Sequence, residues 1–240
     1  MAQPVAIAIH GTGRMARAIA AVAEPRGDVL LTALVGPEAP AWDTTIPWFR
    51  TLGEIPERPR LLIDFTLPAG TQAAATWCAE QAVALLSGVT GLPQSTLDAL
   101  RDAAGQVPVL WSPNLSLGVN LLADLAGRAA AVLESGTPVV IEDIHHQWKK
   151  DAPSGTALML GATVAAQRGG DDSAIEYRSQ REGEVIGVHT VTFRMAGEEF
   201  DLVHRAHDRS IYARGALDAA QWLLGQSAGL YSARDWLAGR

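Results

Sequence analysis

The sequence predicts an α/β chain of two parts: a parallel sheet flanked by helices, then an α+β part built on a mixed sheet. Three observations carry this. From Val5 to Trp111, five short apolar runs alternate with helix-like runs. The first run passes through a glycine turn directly into a helix. After Ser135, strand-like runs follow one another without long helices between them. Alternation of strand and helix implies a parallel sheet, and consecutive strands imply an antiparallel or mixed one.

Taken in order, Val5–Ile9 is apolar throughout, as in a strand buried on both faces. His10-Gly11-Thr12-Gly13-Arg14-Met15-Ala16 follows, and then a helix over Arg17–Ala23. The G-x-G-x-x-A spacing between strand and helix is the opening of a Rossmann-like, dinucleotide-binding unit. Gly11 allows the tight turn, Gly13 the close approach of a pyrophosphate, and Ala16 the packing of helix on strand. Val29–Val35 is the second strand. Its end, Val35-Gly36-Pro37, offers no acid before Glu38, so the usual carboxylate for a ribose 2′-OH is missing and a 2′-phosphate has room. Pro37–Pro47 reads as a surface loop. Leu61–Thr66, Ala82–Leu86 and Val107–Trp111 are the next strands, separated by helices over Ala69–Gln81 and Gln94–Ala104. In parallel sheets ligands gather beyond the carboxyl ends of the strands. The candidate cofactor contacts are therefore Gly11, Thr12, Gly13, Arg14 and Met15, then Phe65 and Thr66, then Gly88, Val89 and Thr90, then Ser112, Pro113, Asn114 and Leu115.

The second part opens with a helix over Leu117–Ser135 and a strand over Val139–His146. A helix over Ala157–Gln167 and strands over Ile175–Ser179, Val185–Arg194 and Phe200–Ala206 follow. A last helix, Ala213–Leu224, returns to the first part, with a short tail after it. The expected division is residues 1–115 with 209–240 for the cofactor, and 116–208 for substrate and oligomer contacts.

Composition narrows the function. A net charge of −7 argues against general nucleic-acid binding, which wants a basic face. No apolar run reaches the ~18 residues that span a bilayer, and no signal-peptide pattern opens the chain, so a cytoplasmic location is expected. The single cysteine, Cys78, permits no internal disulfide and reads as a small core residue.

The chemistry concentrates between Glu142 and Leu158. Lys149 and Lys150 are the only lysines in a chain that otherwise uses arginine. Lysine is a compact charge with a tunable pKa, so ammonium chemistry is implied at one of the two. His145 and His146 precede them, and Ser154 is placed to cap the helix that follows. A helix start draws anions. Together these point to a small carboxylate or phosphate ligand. A metal site is not expected, because adjacent strand histidines point apart and no cysteine pair backs them.

These motifs resemble the dihydrodipicolinate reductase family over nearly the whole chain. The central signature stands as Asp143-Ile144-His145-His146-Gln147-Trp148-Lys149-Lys150-Asp151-Ala152-Pro153-Ser154-Gly155-Thr156-Ala157. Others are Asp64-Phe65-Thr66, Gly88-Val89-Thr90-Gly91, Asn114–Asn120 and Arg181–His189. The chain departs from the family at Asp143, where Glu is usual, at Val89 in place of Thr, at Leu115 in place of an aromatic residue, at Val188 in place of an acid, and in a shortened glycine loop ending in Ala16. The resemblance implies reduction of 4-hydroxy-tetrahydrodipicolinate to tetrahydrodipicolinate with NADPH or NADH, on the path to diaminopimelate and lysine, in a homotetramer built through the second sheet. It implies His145 as the catalytic acid and Lys149 as both catalytic and substrate-binding. His146, Ser154, Gly155 and Thr156 are implied as further substrate contacts. Other expected readings of such a chain are an amino-acid dehydrogenase, which has no need of the D-A-P-S-G-T run, and a non-catalytic NAD(P) sensor, which has no need of His145 and Lys149.

Overall fold

A computed structural model describes residues 3–240. The chain forms two compact units, one of residues 1–116 and 210–240, the other of residues 117–209.

In the first unit the strands are β1 (Val5–His10), β2 (Val29–Val35), β3 (Trp48–Phe49), β4 (Leu61–Asp64), β5 (Ala84–Ser87), β6 (Pro108–Trp111) and β11 (Gly229–Tyr231). They form one parallel sheet in the order β11-β6-β5-β4-β1-β2-β3. The order reverses at β1 and β4, which is where a doubly wound sheet opens a crevice for a ligand. The helices are α1 (Arg14–Ala23), α2 (Pro68–Gln81), α3 (Gln94–Ala104), α6 (Ser210–Leu223) and α7 (Ala233–Ala238). Fully buried Ile7, Ile9, Leu62, Ile63, Leu85 and Leu86 explain why these runs are apolar at every position: both faces of the sheet are covered. α6 packs on α1 and on β4–β6. Cys78 is buried, and desolvation with the nearby Asp64 charge pushes its thiol well up, which keeps it inert.

Three pieces differ from the sequence reading. Trp48–Phe49 is an edge strand beside β2, too short to show alternation. The tail supplies β11 and α7, the latter held by a capping box between Ser232 and Asp235. The fourth strand starts at Ala84, because Ala82 takes a left-handed conformation (φ 53°) that ends α2.

In the second unit β7 (Val139–His145), β8 (Ile175–Arg181), β9 (Gly187–Met195) and β10 (Glu198–Ala206) make a mixed sheet in the order β10-β9-β7-β8. β7 and β8 are parallel; the other pairs are antiparallel. Helices α4 (Leu117–Val132) and α5 (Gly155–Gln167) cover one face. Val139 and Ile141 of β7, with Val191 and Phe193 of β9, pack beneath Leu122, Ala126 and Ala130 of α4 and Ala157, Leu160 and Val164 of α5. Each Val, Leu, Ile or Phe side chain among them contributes about 1.5–3 kcal/mol by leaving water, and each alanine less. Gly161 in α5 is glycine because a Cβ there would overlap the Tyr177 hydroxyl.

Candidate active site

The period of two along β7 decides where its polar end points. Asp143 and His145 share the helix-covered face with Val139 and Ile141, so the core of the second unit turns polar at the carboxyl end of the strand. Register brings the partners: Ser179 lies beside Asp143 and Arg181 beside His145 on β8, and His189 lies beside Asp143 on β9.

Asp143 is fully buried and its carboxylate is the centre of the group. Oδ1 meets His145 Nδ1 at 2.9 Å and accepts from Arg181 Nη1 at 3.0 Å. Oδ2 accepts from Ser179 Oγ at 2.6 Å and from the Ser154 backbone N–H at 3.3 Å. Burial by itself would raise this carboxyl. The donors from Ser179, Ser154 and His145, with the Arg181 charge, outweigh it and hold the carboxyl below its usual range. An ionised Asp143 makes Nδ1 the protonated nitrogen of His145, which leaves Nε2 as the atom free for proton transfer.

His145 is 8% exposed. Burial lowers its pKa, as do the Lys149 and Arg181 charges, and Asp143 offsets only part of this. Gly187 gives the ring its room, since a Cβ there would come within 3.3 Å of Nε2. His189 lies edge-on to His145 with centroids 5.1 Å apart, and its Nε2 is 3.4 Å from Ser154 Oγ. Burial, then the neighbouring His145, pushes His189 down to about 4, so it is a neutral imidazole near pH 7. His146 lies just past the strand, its ring 5.8 Å from that of Trp148.

Lys149 and Lys150 separate clearly. Lys149 Nζ bonds Asp151 Oδ1 at 2.8 Å with its side chain 22% exposed, whereas Lys150 is on the surface. Arg181 fixes the loop between them and the helix: Nε donates to the Lys149 carbonyl at 3.3 Å, and Nη2 to the Asp151 carbonyl. One guanidinium thus ties Asp143 to the loop that carries the ammonium.

The start of α5 corrects the expectation of bare helical N–H groups. Ser154 is the cap, its Oγ accepting from Ala157 N at 3.2 Å. Its own N–H goes to Asp143, and the Gly155 N–H supports the Asp151 carboxylate. Side chains thus take the Ala157 and Gly155 N–H groups of the first turn. Ser154 is 2% exposed and acts inside this network. The sequence reading missed Ser179, Arg181 and His189 as members of the site. Their signal was the Arg181–His189 motif, but only strand register shows that its ends converge on Asp143.

In the first unit the glycine turn has the shape of a phosphate cradle. Gly11 adopts φ 122°, and a Cβ would sit 3.2 Å from the Phe65 carbonyl oxygen. Gly13 opens α1 with no side-chain cap, so the first-turn N–H groups face outward at an exposed residue. Buried Asp64 braces the neighbouring strand ends, accepting from Thr66 Oγ1 at 2.6 Å, Thr71 Oγ1 at 2.7 Å and Ser87 Oγ at 2.9 Å. Gly88 is close-packed against the Phe65 ring. These residues fit a dinucleotide pyrophosphate. Val89, Ser112 and Leu115, expected among the cofactor contacts, are buried. Ser112 Oγ is spent on the Asn114 carbonyl at 2.6 Å, and the Val89 carbonyl accepts from Trp111 Nε1 at 2.9 Å. These contacts shape the loops at the ends of the strands. Among the described residues no cluster of three or more His, Cys, Asp or Glu could hold a metal, and no helix is long and apolar enough to cross a membrane.

The chain is similar to known proteins over nearly its whole length. Residues 5–115 match the family model described as dihydrodipicolinate reductase, N-terminus, and residues 118–237 the one described as dihydrodipicolinate reductase, C-terminus. A 4-hydroxy-tetrahydrodipicolinate reductase of Stenotrophomonas maltophilia strain K279a is 43% identical over 240 residues, covering 98% of each chain. One from Xanthomonas euvesicatoria pv. vesicatoria is 41% identical over 236 residues, covering 96% of this chain and 97% of the relative. The dipicolinate-bound dihydrodipicolinate reductase of Paenisporosarcina sp. TG-14 shares the fold with a TM-score of 0.86 at 22% identity, covering 96% of this chain and 98% of that one. With both halves matched in order, and relatives above 40% identity across nearly their full length, the chain belongs to the dihydrodipicolinate reductase family.

Proposed function

We propose that the protein reduces 4-hydroxy-tetrahydrodipicolinate with NADPH or NADH, using His145 as proton donor and Lys149 as the main carboxylate anchor. The observation that carries the assignment of roles is the Asp143–His145 pair set beside the Lys149 loop and the start of α5. Loss of water from the hydroxylated substrate leaves a conjugated dihydrodipicolinate ring, and the nicotinamide, when bound, would supply the hydride that reduces it. The chain's own residues bind the dicarboxylate, orient it and deliver a proton.

An ammonium has three N–H donors. Asp151 takes one of those on Lys149, and a substrate carboxylate takes another, displacing Asp151 from the Gly155 N–H as it does so. His146, Ser154 and Thr156 line the same stretch, with Ser154 acting by fixing the turn. Charge-assisted contacts of this kind are worth about 1.5–3 kcal/mol each. The negative substrate then stabilises the cationic form of His145, whose Nε2 gives its proton to the reduced ring. Asp143 keeps the Nδ1 proton in place, so the proton that leaves the imidazolium is the one on Nε2, and Arg181 holds Asp143 and the Lys149 loop in register. The same reading takes the protein to be a cytoplasmic homotetramer. The sheet face turned away from α4 and α5, which carries Ile144, Val188 and Val203, is the surface that joins the copies.

A turnover assay tests the reaction. Purified protein should oxidise NADPH or NADH only when 4-hydroxy-tetrahydrodipicolinate is supplied, with one tetrahydrodipicolinate formed per cofactor consumed. Cofactor oxidation independent of that substrate, or none at all, would overturn the assignment. Light scattering tests the assembly, with four chains per particle expected.

A further inference from the structure

At the carboxyl end of β2, where a dinucleotide fold holds the adenosine ribose, two features stand together. The first is a lack of room. A Cβ at Gly36 would meet Thr12 Cγ2 at 3.2 Å and Oγ1 at 3.5 Å, so a larger residue there would crowd the Thr12 side chain. The second is a fixed positive charge from the edge strand. β3 pairs with β2 as Leu34↔Trp48 and Val35↔Phe49, which sets Arg50 level with Gly36. Arg50 Nη1 donates to the Pro37 carbonyl at 3.0 Å, and the guanidinium lies 5.5 Å from the centroid of the Trp48 ring. Trp48 Nε1 in turn donates to the Gly36 carbonyl at 3.1 Å, and Trp42 Nε1 to the Thr12 carbonyl at 3.0 Å.

We propose that Arg50 is the residue that reads the 2′-phosphate of NADPH. The proposal deepens the reductase reading and rests on it. A guanidinium carries five N–H donors. The Pro37 carbonyl uses one on Arg50, which is an exposed residue. Stacking on an indole and bonding to a carbonyl remove rotamer freedom in advance, so less is lost when a phosphate arrives. Glu54 is turned to the Arg50 backbone N–H (3.0 Å) and to Thr51 Oγ1 (3.2 Å), where it closes the 3₁₀ turn at Leu52–Glu54. Arg14, at the first turn of α1, is the other cation of this region. Its position at the glycine turn suits the pyrophosphate, whereas Arg50 stands at the ribose.

Calorimetric titration of the full chain with NADP⁺ and with NAD⁺ tests this, because the two differ only in the 2′-phosphate. Wild type should bind NADP⁺ at least as tightly as NAD⁺. Arg50→Gln should weaken NADP⁺ by roughly 10-fold to 100-fold, with NAD⁺ changed by less than about twofold, and the unchanged NAD⁺ affinity shows that the unit is folded. Arg50→Lys should fall between. Equal losses for both nucleotides, no loss for either, or a selective NADP⁺ loss in Arg14→Gln instead would overturn the role of Arg50 while leaving the reductase reading intact. A wild-type chain that binds neither nucleotide would overturn both.

Discussion

Replacing Asp143 with Asn keeps the shape of the side chain and removes its charge. The carboxylate meets four groups: His145 Nδ1, Arg181, Ser179 and the Ser154 N–H. An amide has one acceptor oxygen, so whichever way it turns, its NH₂ faces two of them. One of the two arrangements turns the NH₂ toward His145 and Arg181. His145 then accepts at Nδ1 and carries its proton on Nε2, and Arg181 loses an anionic partner. A buried donor without its acceptor costs about 1–3 kcal/mol, and a charged one more. The imidazolium needed for proton delivery loses its counter-charge as well. Together about 3–4 kcal/mol is lost from the transition state, which lowers kcat/KM by roughly 100-fold to 1000-fold. Steady-state oxidation of NADPH, measured across pH, is the assay. Asp143 holds the His145 pKa up, so its loss moves the high-pH fall of kcat/KM to still lower pH. A role confined to stability would leave that limb where it was. An Asp143→Asn protein within about threefold of wild type in kcat/KM, with an unmoved limb, would refute the reasoning.

Other outcomes follow from the same geometry. Lys149→Met should lower kcat/KM by about 10-fold to 150-fold, mostly through KM, with Lys149→Arg restoring only part of it. The surface position of Lys150 means that Lys150→Met should change little; equal losses at both lysines in the same kinetics would place the anchor wrongly. Burial and the Lys149 and Arg181 charges hold His145 below its usual value, so its protonated form is lost as pH rises through a pKa under about 6.5. The kcat/KM profile of the free protein should therefore fall on that side. The limb in kcat should lie at higher pH, because two substrate carboxylates favour the cation. Calorimetry of substrate-analogue binding near neutral pH, in buffers of different ionisation enthalpy, should report proton uptake, and its absence would contradict this coupling.

The parallel sheet was legible because most positions of β1, β4, β5 and β6 are buried and apolar, and β2 is apolar but for Thr32. The Ser154 cap was legible from local chemistry. β3, with two residues, and β11, with three, carry too little pattern to read. Their place depends on pairing with distant strands. The same holds at the site. His145 and Lys149 belong to one contiguous motif and stood out. Ser179, Arg181 and His189 reach Asp143 from β8 and β9, across 36 to 46 residues of chain, through a register that no local window contains. Arg50 was invisible for the same reason, since its position depends on β3. The helix start misled because sequence marks its capping residue but not the side chains, Asp143 and Asp151, that take up its N–H groups.

The central claim is that His145 delivers the proton, and His145→Gln measures it most directly. Glutamine keeps a polar group of similar reach and has no titratable proton. NADPH affinity, read by calorimetry, should stay at the wild-type value, while kcat/KM for 4-hydroxy-tetrahydrodipicolinate reduction should drop by about 100-fold to 10,000-fold and lose its high-pH limb. A His145→Gln protein that turns over within a few-fold of wild type, or that keeps the same pH limb, would contradict the account.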